Sequence, residues 1–293
     1  MANGGLQYYL ARLNIAEKLI AMNLAIFILT GLASALLGFS TDSILYWFEL
    51  PKDFFSFLTR PWSLVTYSFF HAGIGHIFWN MLILYFTGRI FLNLFDNQRF
   101  INVYFLGVIL GGLLFLASYN IFPTLLNTNT SLIGASAGVT AVLIFICTYI
   151  PNQEVRLFGL INLKLWYLGA FVVLLDLIRI ASGENIGGRL AHLGGASLGY
   201  FYARQLLNGR DMGQGFSKVL TSMGNLFKSG KGKAPLRTVH RKNKTKGAKS
   251  GIDYNKETRQ KKIDAILDKI SKSGYESLSK AEKDFLFKAG KEE

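Results

Sequence analysis

Six apolar runs predict an all-α polytopic membrane protein, a six-helix bundle with a short cytosolic helical hairpin at its C-terminus. Three observations carry that reading. The runs, at about 19–38, 74–88, 100–119, 132–150, 165–178 and 190–203, are nearly free of charge, and about 20 such residues span hydrocarbon. Mean hydropathy is positive, +0.29, in a chain that is 51% hydrophobic. Charge is segregated: from Arg204 onward there are 22 Lys and Arg against ten Asp and Glu, which is +12 of the net +14.

The elements follow in chain order. Residues 1–16 read as a cytosolic or interfacial segment. Within 5–18, Leu6, Tyr9, Leu10, Leu13 and Ala16 recur at helical spacing, as in a helix lying at the membrane surface. The first apolar run lacks a clear small-residue cleavage sequence and more spans follow, unlike a secretory signal. Residues 17–207 form the six-helix domain. Its long first loop, 39–73, is rich in aromatics such as Tyr46, Trp47, Phe54, Phe55 and Trp62, which suits a membrane interface. Arg89 and Arg99 flank the connection between spans two and three, and Arg156 and Lys164 that between spans four and five. The loop from Tyr119 to Ser131 has no cation. With the basic tail, this places both termini in the cytosol, against the vote of Arg179 and Arg189 in the last external loop.

Residues 208–262 read as a flexible basic linker. Residues 263–293 regain a pattern: Ile263, Ile266, Leu267 and Ile270 share a helical face, Gly274 breaks the helix, and Ser279 to Glu282 form a capping box. A hairpin this short needs a partner or the membrane. The basic tail suits anionic lipid or a cytosolic partner; no nucleic-acid motif accompanies its lysines, so no nucleic acid is expected. The single cysteine, Cys147, excludes a disulfide within the chain and a cysteine metal cluster; it reads as a small core residue.

The chemistry-bearing candidates are few. "LIGASAGV", residues 132–139, carries Ser136 inside Gly-x-Ser-x-Gly, a nucleophile pattern. It also contains Gly134-x3-Gly138, a close-approach pattern for membrane helices. His71, His76 and His192 lie beside or within spans, where polar residues are costly. By the topology above, spans two, four and six run inward. His76 with Asn80, Ser136 and His192 then share one depth just below the outer surface. Imidazole near neutral pH is the usual base for a serine hydroxyl, so Ser136 as nucleophile and His192 as general base could perform acyl transfer. His76 and Asn80, four apart on one helix face, could stabilise an oxyanion together with the Ser136 backbone N–H. Asp176, toward the far end of span five, and Glu184, in a loop, are not assigned as an orienting acid, which leaves a dyad. There is no His-Glu-x-x-His, and His71 and His76 are five apart, so no metal or cofactor is expected.

These residues together resemble the rhomboid family of intramembrane serine proteases. The resemblance covers about 17–207 and rests on His71-x4-His76-x3-Asn80, on Gly134-Ala135-Ser136, and on Ala191-His192-x2-Gly195-x3-Gly199. It implies a Ser136/His192 dyad, an oxyanion hole with His76 and Asn80, an outward-opening cavity, and His71, Gly134, Ala135, Gly138, Gly195 and Gly199 as lining or packing residues. It implies substrates that are single-pass membrane proteins, cut beside small residues, and a location in a bacterial inner membrane. The alternative is a catalytically silent rhomboid-like protein that binds or routes membrane clients; a small transporter is a third reading. Four positions depart from the family pattern: Ala137 follows the serine in place of glycine, Thr140 stands for an aromatic, Ser63 follows Trp62 in place of arginine, and Leu92 or a neighbour replaces a glutamate near the end of span two.

Overall fold

A computed structural model describes residues 8, 11–122, 124, 130–157, 161–226 and 253–289. They fall into two compact units, Met1–Gly230 and Lys231–Glu293.

The first unit is a helical bundle of α1 (Ile15–Leu37), α2 (Ile74–Leu94), α3 (Asn97–Ile121), α4 (Ser136–Tyr149), α5 (Leu165–Ala181) and α6 (Ile186–Leu207). By length and composition α1, α2 and α3 can each cross a membrane. Helix α4 has only 14 residues, and every one from Ala137 to Cys147 is buried. An all-round apolar helix belongs at the centre, and α2, α3, α5 and α6 pack around it. Helix α1 is peripheral. It touches α2 where Ala16 lies against Gly88, and exposes Leu24, Ile28, Leu29, Leu32 and Leu36, the expected face toward lipid. Its start is sharper than the sequence suggested. Asn14 and Glu17 form a capping box, so residues 15–18 belong to α1. Residues 1–7 and 9–10 of the expected interfacial segment lie outside the described residues.

Small residues set the packing of α4. A methyl group on Gly107 or Gly111 of α3, or on Gly195 or Gly199 of α6, would fall within 3.0 Å of Ala141 or Ala137. Ala137 and Ala141 therefore form a ridge between two glycine pairs. The close approach expected from Gly134-x3-Gly138 takes a different form. Gly138 packs on Tyr104 and Val108 of α3, not on α6, and Gly134 precedes the helix. The α6 partners of this region are Ala137 and Ala141, so the Ala137 departure is part of the seam.

The loop 39–73 is built, not loose. It contains the helical turns Thr41–Leu45, Phe54–Thr59 and Ser63–Thr66, and strand β1 (Leu50–Pro51). This strand pairs antiparallel with β2 (Ser131–Leu132), just before α4. Buried Arg60 donates to the Tyr46 carbonyl and lies 4.0 Å over that ring. Trp62 Nε1 donates to the Trp47 carbonyl, 2.7 Å. An arginine thus holds the loop from a position two residues before Trp62. A second ribbon, β3 (Glu154–Leu157) with β4 (Ile161–Lys164), joins α4 to α5. It was absent from the all-helical expectation because four alternating residues give little signal.

The stretch 208–262 departs from the expected linker. Residues 227–252 lie outside the described residues, but α7 (Gln214–Leu226) is a helix. Phe216, Val219, Leu220, Met223 and Leu226 recur at helical spacing, a signal diluted by Gly213, Gly215 and Gly224. Its start is tied to the bundle. Asn102 Nδ2 donates to Ser217 Oγ, 2.8 Å, and to the Gly213 carbonyl, 3.2 Å. Asp211 accepts from Arg99, 3.0 Å, from Tyr202 and from the Gly213 N–H. Partial burial alone would raise the Asp211 carboxyl, but these donors hold it below the usual carboxylate range.

The second unit holds α8 (Asp253–Ser273) and α9 (Lys280–Ala289). Helix α8 begins ten residues before the expected hairpin. Gly274 at φ +76° ends the first helix segment. Ser279 and Glu282 exchange hydrogen bonds of 2.7 and 3.3 Å at the start of α9, the anticipated capping box. Ile266 and Leu278 are buried, and Lys269 reaches Glu282 at 3.0 Å.

Two tests follow from this packing. Gly195→Ala is expected to cost about 1–3 kcal/mol in detergent unfolding, whereas Gly31→Ala, with open space around it, leaves stability unchanged or slightly higher. Because the folded Asp211 pKa is depressed, its stabilisation is complete above the unfolded value of about 3.9 and lost as pH falls through the folded one. Hydrogen-exchange protection of 211–226, taken relative to the intrinsic rate at each pH, should therefore fall on acidification, and Asp211→Asn should show the low protection at every pH.

Candidate active site

Ser136 is the first residue of α4. The turn before it is held at three points. Leu132 pairs with Leu50, while Ser131 Oγ donates to Glu49, 2.7 Å. The Gly134 N–H donates to the Tyr67 carbonyl, 2.9 Å, and Tyr67 itself donates its hydroxyl to the Val108 carbonyl, 2.7 Å. The Ala135 N–H donates to His71 Nε2, 3.4 Å. Gly134 has φ +119°, and a Cβ there would stand 2.6 Å from His76 Nε2. Both the conformation and the crowding require glycine. The result is a serine at a helix N-terminus, where backbone N–H groups lack intrahelical partners and the helix dipole favours negative charge.

His76 is the third residue of α2, and Asn80 lies one turn later. His76 Nδ1 accepts from the Ala72 N–H at 3.4 Å. A neutral ring then carries its proton on Nε2, the nitrogen beside Gly134. Asn80 is buried and gives one N–H to the His76 carbonyl, 2.8 Å, leaving the second for the cavity.

His192 sits in the second turn of α6, one turn deeper than the sequence suggested. Its Nδ1 lies 3.1 and 3.2 Å from the two oxygens of Asp176 on α5. Asp176 is only 3% exposed, and one of its oxygens also accepts from Arg189 at 2.8 Å. The carboxylate fixes the proton on Nδ1 and leaves Nε2 as the basic nitrogen. The sequence reading assigned no acid to His192; the structure places Asp176 against it. The connection from α5 to α6 is four residues, 182–185. It closes on Asn185 in the left-handed region, capping Gly188. This tight turn sets the end of α5 against the start of α6. A signal was available: span five runs outward, so its far end is the end that holds the site. Arg189, an exception to the charge vote when read as a loop residue, is a helical residue paired with a buried acid.

His76, Asn80, Ser136, Asp176, Arg189 and His192 line one cavity of about 800 Å³, with an apolar wall that includes Trp79, Leu143 and Phe171. Thr140 lines it too. His71 does not; it supports the turn beneath. Ala135 is buried in that turn, and Gly138, Gly195 and Gly199 are packing residues of the bundle. Among the described residues, Ser136 and His192 share the cavity without a direct hydrogen bond; such bonds are often long before substrate arrives.

Fold and cavity together define a class: a polytopic helical membrane bundle with serine, histidine and a buried acid around one internal space. A rhomboid-domain family model matches residues 58–209. The chain belongs to the rhomboid family. Over 163 residues it is 31% identical to RHOMBOID-like protein 12, mitochondrial, of Arabidopsis thaliana, covering 52% of this chain and 48% of that one. Over 146 residues it is 28% identical to Presenilin-associated rhomboid-like protein A, mitochondrial, of Danio rerio, covering 49% and 37%. The match thus spans less than half the length of either relative. Residues 252–289 match a family of unknown function (DUF6576).

The pairing of Asp176 gives a double-mutant test. Asp176→Asn leaves the Arg189 charge without its partner and is expected to cost ~3 kcal/mol. Adding Arg189→Gln restores much of that stability. Fluorophosphonate labelling of Ser136 stays slow in both variants, by up to ~10⁴-fold, because neither fixes the proton on His192 Nδ1.

Proposed function

We propose that the protein is an intramembrane serine endopeptidase acting on transmembrane segments of single-pass membrane proteins. The observation that supports this best is His192 held on Asp176 in the cavity where Ser136 heads a helix. In the proposed reaction Ser136 Oγ attacks the scissile carbonyl carbon and its proton passes to His192 Nε2. The oxyanion takes hydrogen bonds from His76 Nε2–H, the free Asn80 N–H and the Ser136 backbone. Collapse breaks the C–N bond, and the leaving amine takes the proton from His192. Water, deprotonated by His192, then hydrolyses the acyl-enzyme. Asp176 makes this a triad in place of the expected dyad. It remains the anionic partner of the imidazolium throughout.

The cations at the ends of even-numbered spans favour a multi-pass arrangement with both termini on the side where positive charge collects. A protein that only held or routed clients would have no need of a buried carboxylate aimed at a histidine beside a serine.

The direct test is cleavage of a labelled transmembrane substrate by purified protein in proteoliposomes. Ser136→Ala and His192→Ala are expected to abolish it, and His76→Ala or Asn80→Ala to slow it by roughly 10²–10³-fold. Equal cleavage by the wild type and the Ser136 and His192 variants would sink the proposal.

A further inference from the structure

We infer that α7 is an interfacial helix that binds the surface of an anionic bilayer, at the end of the bundle away from the catalytic cavity. Three independent observations converge on it, and none depends on the protease reading.

The first is the helix pattern. Phe216, Val219 and Leu220 fall on one side of α7, and Gln214, Lys218, Thr221 and Asn225 on the other; in the sequence Met223 and Leu226 continue the apolar spacing. Such one-sidedness on a short helix is the mark of a helix lying in an interface. Val219 is 55% exposed, and Phe216 and Leu220 are half-buried, so the bundle leaves part of this apolar face open.

The second is depth. Helix α7 starts seven residues after Leu207 ends α6, where that span leaves the membrane. Its first turn is tied through Ser217 and Gly213 to Asn102, the sixth residue of α3. That is about 8 Å along α3 from its start. The start of the helix is thereby held near the cytosolic end of α3, the level expected for headgroups. Ser217 sits about 100° around α7 from the apolar side, so that side can face lipid while Ser217 faces the bundle.

The third is charge. Arg204, Arg210 and Lys218 are exposed and form no ion pair among the described residues. The sequence 227–249 adds nine Lys and Arg with no Asp or Glu. Each cation near an anionic leaflet contributes about 1 kcal/mol. An apolar face followed in the sequence by this much positive charge matches a phospholipid surface bearing negative headgroups.

The test uses full-length protein in vesicles of phosphatidylcholine alone or with phosphatidylglycerol. An environment-sensitive fluorophore is placed by Val219→Cys, or by Asn225→Cys on the opposite face, in a Cys147→Ala background. In anionic vesicles the label at 219 should shift to the blue, be quenched by brominated lipid and be several-fold less quenched by iodide than the label at 225. High salt or pure phosphatidylcholine should reduce the difference. Phe216→Cys reports on the same face should the first variant misfold. Equal iodide quenching at 219, 216 and 225 in both membranes overturns the inference and leaves the face for a soluble partner. A buried label insensitive to lipid charge and salt overturns the anionic part.

Discussion

Everything in the bundle depends on how closely α4 can approach α3 and α6. In lipid there is no hydrophobic force between helices, so association rests on van der Waals packing and interhelical hydrogen bonds. Dispersion fades steeply with a gap of even an ångström. Ala137 and Ala141 meet Gly111 and Gly107 on one side and Gly195 and Gly199 on the other. The α3 glycines receive the two methyl groups, and on the α6 side backbone lies nearly on backbone. Ala137 follows Ser136 directly, and Gly195 lies three residues from His192. The seam that holds the bundle therefore also fixes the separation of the proposed nucleophile and base. A glycine after the serine, as in the family pattern, would leave out the methyl that Gly111 makes room for here.

The polar residues obey the opposite constraint. A charge in the apolar interior is tolerable only when paired and hydrogen-bonded. Asp176 divides its oxygens between Arg189 and His192, so each charged or chargeable group answers another. The loop 39–73 performs a comparable task for the backbone. Leu50, Tyr67 and His71 satisfy or pair the segment 131–135 just before Ser136. A rigid first loop thus positions the serine as firmly as the helix does.

The parts legible in the sequence were those where residue type and spacing coincide. Ser136, His76, Asn80 and His192 stand out because serine, histidine and asparagine are rare in apolar runs and share a depth. Asp176 was missed because span order was read as distance from the site, when an outward-running helix brings its far end to it. Arg189 was misread because helix α6 starts at Ile186, three residues before the arginine. The partners of Gly138 could not be read from spacing alone: a small residue announces close approach but not which neighbour approaches. The pattern in α7 was hidden by glycines and lysines, whose composition resembles a linker although the apolar residues keep helical period.

The length of α4 explains how a water-consuming reaction could proceed inside such a bundle. Fourteen residues reach about 21 Å, roughly 9 Å short of a typical hydrocarbon core. Ser136 heads that short helix, so it lies well below the end of the longer α3. The missing length is occupied by the strand pair and turn that precede Ser136 and by the cavity beside them. A full-length α4 would carry its N-terminus to the surface and close this space with helix. The short helix instead leaves room at depth, lined by His76, Asn80, Arg189 and His192, groups that hold water where apolar walls alone would stay dry. The same truncation that lowers the serine into the bundle thus supplies the polar space its proposed chemistry requires.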